Sequence, residues 1–404
     1  MKNLNFTIIA STLILTACAS NEITQKPNTQ ASAATNSYTQ INLVANRAEF
    51  KPEIIEPDLQ NAWGIADRPA GLGGHFWITA QKTGQSIQYV GDVNGKKLFQ
   101  DNLKVVNLLE SVKKTSTPTG VVFNPSNKFI ITQPAKGQET FKAESKFIFA
   151  TDTGKIYGWA EKMNADGKFI RSTDSVLMVN NTKRGDQYFG IGIDSKGEKL
   201  FTADFGTKPQ MRVFNSDFKE IKLTKNQFKN PFIKGLYTKA GEYGPYNTQV
   251  LNMNGEDHVF VAYAIIDKDK KTGKIEAGEE LKGAGLGRIV EYNIDGQLIQ
   301  IWNDKGSLNV PWGFAMAPDA GFGKLSGTLL VGNFGDGTVV AFDTKTHEAI
   351  EYLKKDDGKQ LQIDGLWGIM FGNGASLGEK NQLYFAAGPN DETDGIFGKI
   401  KFNE

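Results

Sequence analysis

The chain of 404 residues has a single cysteine, Cys18, and only three histidines, His75, His258 and His347. One cysteine excludes an internal disulfide and a cysteine-based zinc site. The histidines lie in separate segments, a spacing that does not favour a multi-histidine metal site. Lysine plus arginine (46) nearly equals aspartate plus glutamate (45), so bulk charge gives no reason to expect a nucleic-acid partner.

Long apolar runs are also scarce, and the clearest stands at the N-terminus. A short positive start and the run "FTIIASTLILTA" predict a signal peptide over residues 1–17. The run is too short for a permanent membrane helix. Leu15-Thr16-Ala17-Cys18 resembles a bacterial lipobox, which predicts lipidation of Cys18, although an ordinary cleavage site is the alternative.

The predicted lipid anchor makes a membrane the first expected partner. Residues 18–37 are small and polar without periodicity, which predicts a flexible linker. Ala19, rather than an aspartate, follows the cysteine and resembles the signal for outer-membrane sorting in Gram-negative bacteria. We therefore expect the protein in the cell envelope, anchored to the outer membrane.

Glycine is abundant, with 44 residues, and many glycines follow a repeated plan. Six segments each open a short apolar strand and continue through two or three more strands with turns between them. The equivalent opening positions are Gly64, Gly120, Gly190, Asn247, Gly313 and Gly368. The pattern predicts an all-β chain with a six-bladed β-propeller over residues 38–404.

The chain ends predict how the ring closes. The sixth segment has only three strands, whereas "YTQINLVAN" at 38–46 is a strand without a blade of its own. We expect this N-terminal strand to complete the sixth blade and remove an open edge.

Tryptophan precedes the opening glycine in three segments, at Trp63, Trp312 and Trp367. Glycine permits close approach of strands around the channel, and a tryptophan beside it can pack between adjacent blades. We favour this packing role over ligand stacking.

Long motifs carry a resemblance to a known group. "DLQNAWGIA", "PTGVVFN", "FIFATDTGKIYGW", "LLVGNFGDG" and "LYFAAGPNDETDGIFGKI" resemble a family of secreted bacterial β-propellers known only as conserved hypothetical proteins. The resemblance spans roughly residues 40–402, and the blades are loosely similar to NHL-type repeats. It implies the propeller fold and export, and it implies no activity.

Polar residues recur at equivalent places in the repeats. Asp204, Asn333 and Asn390 follow second strands, and Asn61 and Asn309 precede first strands. Both sets can project toward one end of the channel, where a ring of oxygens would suit Ca²⁺ or Mg²⁺. One hypothesis is that the first three hold the cation at the channel mouth and that Asn61 or Asn309 orients a substrate carbonyl. We favour the alternative, in which these residues only make turns.

Two further acidic stretches have structural explanations that we favour. "DKDKKTGKIEAGEE" at 267–280 is faintly like a calcium loop, but a solvated insertion explains it better. "DETDG" at 391–395 offers carboxylates for acid–base chemistry, but also makes a turn between strands.

Two functional classes remain from the sequence. The first is an envelope-tethered binding or scaffolding propeller that engages a protein or glycan through its loop face. The second is a metal-dependent hydrolase, similar to a lactonase, that acts at the channel mouth. We favour the first, because the sequence contains no evident activated nucleophile.

Overall fold

The computed structural model describes residues 36–111, 114–134 and 139–403. The predicted signal peptide, the lipidation site Cys18 and the linker as far as residue 35 lie outside the described residues. Among the residues described, no helix has the length and apolarity needed to cross a membrane.

The described chain forms six small antiparallel sheets arranged as a six-bladed β-propeller, which confirms the predicted fold. In each blade the first strand lines the channel and the fourth lies at the outer edge. Blade one consists of Ala62–Ala66, Phe76–Ala80, Gln85–Tyr89 and Val105–Asn107. Blade two consists of Pro118–Phe123, Phe147–Thr151, Lys155–Trp159 and Val176–Asn180. Blade three consists of Tyr188–Ile193, Lys199–Asp204, Gln210–Asn215 and Glu220–Ile221.

The other three blades follow the same plan. Blade four consists of Tyr243–Met253, Glu256–Lys268, Gly287–Asn293 and Leu298–Ile301. Blade five consists of Pro311–Met316, Leu329–Asn333, Val339–Asp343 and Glu348–Tyr352. Blade six consists of Leu366–Phe371, Leu383–Ala387, Ile396–Asn403 and Ser37–Ala45, with Ile54–Ile55 at its edge.

Short elements decorate the blades. Paired strands are Leu109–Ser111 with Lys114–Thr115, Ile130–Gln133 with Phe141–Glu144, and Glu161–Met163 with Phe169–Arg171. Ile275–Glu280 pairs with the long second strand of blade four. Ala48–Phe50, Thr182–Arg184 and Gly323–Leu325 are 3₁₀ helices, and Pro389–Glu392 is a tight turn with left-handed residues inside it.

The N-terminal strand closes the ring as predicted. Ser37–Ala45 pairs antiparallel with Ile396–Asn403, with Ser37 opposite Asn403 and Ala45 opposite Ile396. The strand begins at Ser37, one residue before the predicted propeller boundary. Because the first and last strands share one sheet, the ring closes through backbone hydrogen bonds.

The apolar core is divided among the seams between blades. Six clusters of buried side chains each join two neighbouring blades, and a seventh, aromatic cluster lies at the centre of the ring. Alternating side chains of a strand point to opposite faces of its sheet, so a strand between two neighbours is apolar on both faces. Each blade is therefore stabilised by the blades on either side.

The channel glycines are required by close approach, as predicted. A Cβ at Gly64 would stand 2.6 Å from the Thr119 carbonyl oxygen of the next blade. A Cβ at Gly368 would stand 2.7 Å from the Trp63 carbonyl oxygen. No side chain fits at these distances, so glycine allows the innermost strands to surround a narrow channel.

The antiparallel order gives the propeller two faces. On the upper face each first strand begins and each second strand turns into the third. On the lower face each first strand turns into the second. Asn36 lies on the lower face, where its Oδ1 accepts a hydrogen bond from the Lys324 backbone N–H at 2.8 Å.

Candidate functional site at the upper mouth of the channel

Aromatic rings fill the upper part of the channel. Five of the six blades place an aromatic residue just before the channel-lining glycine or asparagine, namely Trp63, Phe189, Tyr246, Trp312 and Trp367, whereas blade two has Thr119. These five side chains are at most 6% exposed. They form a floor that separates the upper mouth from the channel below.

Contacts in this floor run both between neighbours and across the axis. Trp63 stacks on Trp367 of the adjacent blade with ring centroids 3.7 Å apart, as the packing prediction requires. Trp63 also meets Phe189, two blades away, edge to face at 5.4 Å. Tyr246 lies 6.1 Å from Trp367, again two blades away. The aromatic residues therefore tie together blades that share no seam.

A cavity of about 580 Å³ lies above this floor. We call it the upper basin. The end of strand Glu256–Lys268 and strand Ile275–Glu280 form a hairpin inserted in blade four. The basin carboxylates are Asp152 from blade two, Glu279 and Glu280 from this inserted hairpin, and Glu392 from blade six. A second cavity of about 410 Å³ adjoins it and shares Lys282 and Glu392. Both volumes are within the range of small-molecule sites.

Burial perturbs the acidity of the basin. Burial raises the pKa of Glu280 to about 7, although Lys282 and the Tyr246 hydroxyl oppose the shift. Burial also raises the pKa of Glu392, of Glu279 and of Asp152. The carboxylates also repel one another, and negative Glu392 contributes to the raised pKa of Glu280. The basin thus concentrates negative charge where water stabilises it poorly.

A chain of hydrogen bonds fixes one side of the basin. Asp152 accepts hydrogen bonds from Thr117 and, at 2.7 Å, from Gln81 Nε2. Asn61 Nδ2 contacts Gln81 Oε1 at 3.3 Å and donates to Glu392 Oε2 at 2.8 Å. The chain runs through blades two, one and six, so it positions two of the basin carboxylates relative to each other.

Glu392 reaches the basin from a strained turn. Asn390, Asp391 and Glu392 have φ values of 56°, 51° and 62°, all in the left-handed region. Each such residue costs about 1–2 kcal/mol relative to a right-handed conformation. Neighbouring Asp394 is buried and paired with Arg47 at 2.7 Å. The "DETDG" segment is thus more than a surface turn, because it carries Glu392 into the basin.

Lys282 is the lysine among the described residues that line the basin, and exposed Lys82 lies near enough to lower the pKa of Asp152 and Glu392. The Lys282 Nζ lies 4.1 Å from the centre of the Phe334 ring and 3.8 Å from Glu280 Oε1. Phe334 in turn stacks on Trp367 at 3.8 Å. An ammonium group is therefore held between an aromatic face and a carboxylate.

The inserted hairpin of blade four covers one side of the basin. The Gly278 N–H donates to the Phe205 carbonyl oxygen at 3.1 Å, which fixes the hairpin over blade three. Gly278 has φ 86°, and a Cβ there would stand 2.2 Å from Gln187 Oε1. The tip matches the predicted solvated insertion, with Asp269 Oδ1 accepting the Lys271 and Thr272 N–H groups. The prediction was incomplete, because the second arm of this hairpin, Ile275–Glu280, also places Glu279 and Glu280 in the upper basin.

Asp204 has a different environment from the one expected at a channel mouth. Its side chain is 0% exposed, and its Oδ2 accepts a hydrogen bond from Arg212 Nε at 2.9 Å. Its Oδ1 accepts the backbone N–H groups of Gln187 and Gly206. Arg212 also pairs with buried Asp186 at 2.9 Å. The carboxylate belongs to a buried ion network, and its role as a cation ligand at the channel mouth stays a prediction.

Asn333 and Asn309 bind each other and the backbone. Asn333 Oδ1 accepts the Asn309 N–H at 3.0 Å, and its Nδ2 donates to the Ser307 carbonyl and to Thr338. Asn309 Oδ1 accepts the Gly283 N–H at 2.7 Å, which fixes the end of the inserted hairpin. Both side chains therefore act as loop supports.

Asn390 and Asn61 lie at the sixth blade and its seam with the first. Asn390 is exposed and donates from Nδ2 to Asp394 at 2.8 Å. Asn61 Oδ1 accepts the Trp367 indole N–H at 3.0 Å. Asp204, Asn333 and Asn390 share no hydrogen-bond partner, and a cation held jointly by them stays a prediction. Of the five predicted asparagine and aspartate positions, the structure brings Asn61 to the basin.

Within the part of the chain that the structure describes, no group of three or more His, Cys, Asp or Glu side chains is placed to hold a metal ion. The basin carboxylates come from three blades, and Asp152, Glu280 and Glu392 are engaged by side chains of the protein. Their arrangement favours contacts with a larger solute over the short coordination distances that a hard cation demands.

Sequence reasoning missed Glu279, Glu280, Glu392 and Lys282. The acidic residues were visible in "EAGEE" and "DETDG", but each segment alone is explained by a loop. The one local indication in the sequence is Gly278, because its left-handed conformation places the second arm of the inserted hairpin over blade three.

The chain has relatives among the proteins of a giant virus. No protein-family model matches the chain. One uncharacterised protein of Acanthamoeba polyphaga mimivirus is 28% identical over 361 residues, covering 89% of this chain and 78% of its own length. A second protein of that virus is 25% identical over 360 residues, covering 89% and 84%. The predicted bacterial origin, export and NHL-type repeats stay predictions.

Solved structures are similar in fold alone. A luciferin-regenerating enzyme has a TM-score of 0.46 and 13% identity, over 85% of this chain and 92% of its own. A soluble aldose sugar dehydrogenase from Escherichia coli has a TM-score of 0.44 and 15% identity, over 91% and 100%. The Dos1 propeller has a TM-score of 0.42 and 10% identity, over 90% and 76%. A shared propeller does not transfer an activity.

Proposed function

We propose that this propeller is a binding module whose small-molecule ligand, or the protruding group of a larger partner, enters the upper basin. The observation that carries the proposal is a cavity of about 580 Å³ in which carboxylates from blades two, four and six converge over an aromatic floor. Concave sites with an apolar floor and a few convergent polar groups are the usual form of ligand pockets.

The cost of building the basin supports a functional role. A loop that only connects strands has no need to bring Glu280 and Glu392 together in a poorly hydrated place, where the pKa of Glu280 rises to about 7. Perturbed carboxyl groups in a cleft are typical of functional sites. The three consecutive left-handed residues that deliver Glu392 add to this cost.

The basin supports binding more than metal-dependent hydrolysis. The hydrolase alternative rests on Asp204, Asn333 and Asn390. Side-chain oxygens of Asp204 and Asn333 already accept hydrogen bonds from the protein, and the Asn390 amide donates to Asp394. A protein or glycan partner on this loop face would meet the basin at its centre.

We also propose that the propeller works while tethered to a membrane through acyl chains on Cys18. The Leu-Thr-Ala-Cys pattern supports this anchor, as does the absence of any other cysteine. Cys18→Ala should leave a folded protein that no longer sediments with membranes, and unchanged sedimentation without lost acyl mass would refute the anchor.

A thermal-shift screen with small molecules tests the binding role, because a ligand that binds only the folded state raises its melting temperature. Hits should lose their effect in the double variant Glu280→Gln, Glu392→Gln. The matched control is Glu53→Gln, which removes one charge from an exposed position in blade six, away from the basin. Hits that keep their full effect in the double variant would place the site elsewhere.

A further inference from the structure

We infer that the ligand of the upper basin is an organic cation, a compound with a primary or quaternary ammonium group and a nearby oxygen. This inference rests on the proposed binding role of the basin and names the chemistry of its ligand. It depends on the charge of the cavity, on how Lys282 is held, and on one unpaired donor in the floor.

The charge of the cavity comes first. Asp152, Glu279, Glu280 and Glu392 line it, whereas Lys282 is the one lysine or arginine among its described lining residues. Asp336, Asp364 and Asp391 line the adjoining cavity and add further negative charge. Such a mouth attracts cations and repels anions, because a concave wall of low dielectric focuses the field of its charges.

Lys282 shows which cation the walls accommodate. Its ammonium lies over the face of Phe334, 4.1 Å from the ring centre, and 3.8 Å from Glu280. The Lys282 side chain is nevertheless 50% exposed, so it occupies the edge of the cavity rather than its centre. The protein thus holds one ammonium with an aromatic ring and a carboxylate, the pair of groups that recognises organic ammonium ligands.

The floor adds a donor without an acceptor. Trp63 lines the basin and is 3% exposed, and its indole Nε1 has no hydrogen-bond partner among the described residues. The other two indoles of the floor do have partners, since Trp312 donates to the Phe189 carbonyl and Trp367 donates to Asn61. An unpaired buried donor costs free energy that an acceptor recovers. We assign that acceptor to an oxygen of the ligand.

The size and spacing of the site favour an organic cation over a metal ion. The cavity of about 580 Å³ exceeds what one hydrated ion needs. Over the described ranges, no three acidic or histidine side chains are placed as metal ligands. Carboxylates spread around a wide aromatic floor suit a cation whose charge is covered by methyl or methylene groups.

Isothermal titration of the full chain with choline tests this inference, because choline combines a quaternary ammonium with a hydroxyl. The neutral isostere 3,3-dimethyl-1-butanol is the matched probe, and spermidine, glucose and CaCl₂ extend the series. Choline or spermidine should bind at least about tenfold more tightly than the isostere and glucose, a difference of the order expected for a partly desolvated cation–π site with a carboxylate.

Variants give effects of opposite sign. Glu280→Gln and Glu392→Gln should each weaken the binding of the ammonium probe roughly tenfold, since each removes a charge-assisted contact. Lys282→Gln should strengthen it, because it removes a competing ammonium and its repulsion. Glu53→Gln should leave it unchanged. A gain of affinity cannot arise from misfolding, so the Lys282 variant keeps the test decisive.

The remaining outcomes separate this inference from the proposed binding role. If glucose or the isostere binds as tightly as choline and the glutamine variants abolish that binding, the basin is a binding site but its ligand is not a cation. If CaCl₂ alone binds and the same variants abolish it, the occupant is a metal ion. If none of these probes binds, the inference is overturned, and the wider thermal-shift screen decides the binding role separately.

Discussion

The indole rings of Trp63 and Trp367 stack with their centroids 3.7 Å apart, where the first blade meets the last. Phe334 extends the stack on the other side of Trp367 at 3.8 Å. The stack is at once part of the channel core and the floor beneath the basin. Its loss should therefore affect both stability and binding.

Trp367→Ala should lower the free energy of unfolding by about 3–5 kcal/mol, because it opens a cavity between two stacked rings. Urea denaturation measures the change. Tyr237→Ala is the control, since Tyr237 is 69% exposed and its loss should change stability by at most about 0.5 kcal/mol. Equal effects of the two substitutions would contradict the structural role of the stack.

A chain that begins at Arg47 should be less stable than one that begins at Asn36. The missing strand, Ser37–Ala45, carries buried Tyr38, Leu43 and Val44, and each large apolar side chain contributes about 1.5–3 kcal/mol. We expect a loss of at least about 4 kcal/mol and exposure of the Ile396–Asn403 edge. Thermal and urea melts of the two chains compare them directly, and coincident curves would rule out closure by this strand.

Asp204→Ala should destabilise the protein by about 3–5 kcal/mol, because removing one member of a buried ion network leaves Arg212 with an incomplete set of partners. This reverses the expectation for a residue at the channel mouth. Glu198→Gln is the control, since its pair with Lys128 is exposed and solvent screens it, so its loss should leave stability nearly unchanged. A stable, fully folded Asp204 variant would show that the network is dispensable.

Stability should depend on pH through Glu280. Burial raises the pKa of Glu280 to about 7 in the folded protein, above the 4.5 of an unperturbed glutamate, so the folded state binds its proton more tightly than the unfolded state. The contribution is fully present below pH 4.5 and is lost as the pH rises to about 7, a change of about 3 kcal/mol. Glu280→Gln should flatten the stability profile in that window.

Burial also raises the pKa of Asp67, near the lower end of the channel, to about 7. Asp67 therefore makes stability fall with rising pH in the same direction as Glu280. The comparison of Glu280→Gln with the unmodified chain isolates the basin from this contribution. Binding of an ammonium probe should show the opposite trend, with affinity rising between pH 5 and about 8 as Glu280 ionises. An affinity that falls over this range would contradict the role of that carboxylate.

The fold could be predicted from the sequence because its signals are local. Five of the six blades repeat a glycine at the channel, as at Gly64 and Gly368, and every blade has alternating apolar residues in its strands. The sixth blade lacks one strand and the N-terminal segment has one strand without a blade, so counting the strands predicts that the two belong together. These patterns depend on neighbouring residues and need no knowledge of how distant segments meet.

The site could not be predicted in the same way. Glu280 and Glu392 are brought together by two long-range events, the folding of the inserted hairpin over blade three and the closure of the ring. The burial of Asp204 could not be predicted, because its place at the end of a second strand resembles that of Asn333. Arg212, on the adjacent strand, is the partner that keeps Asp204 inside, and only the strand register reveals it.

The shared sixth blade also has a mechanical consequence. Ser37 and Asn403 are opposite each other in the antiparallel pair, so both ends of the described chain leave the propeller at the same end of one ladder. Force applied between those ends would load the hydrogen bonds of the ladder one after another, as in unzipping, rather than all together in shear. We therefore expect the ring to open at modest pulling force in a single-molecule experiment.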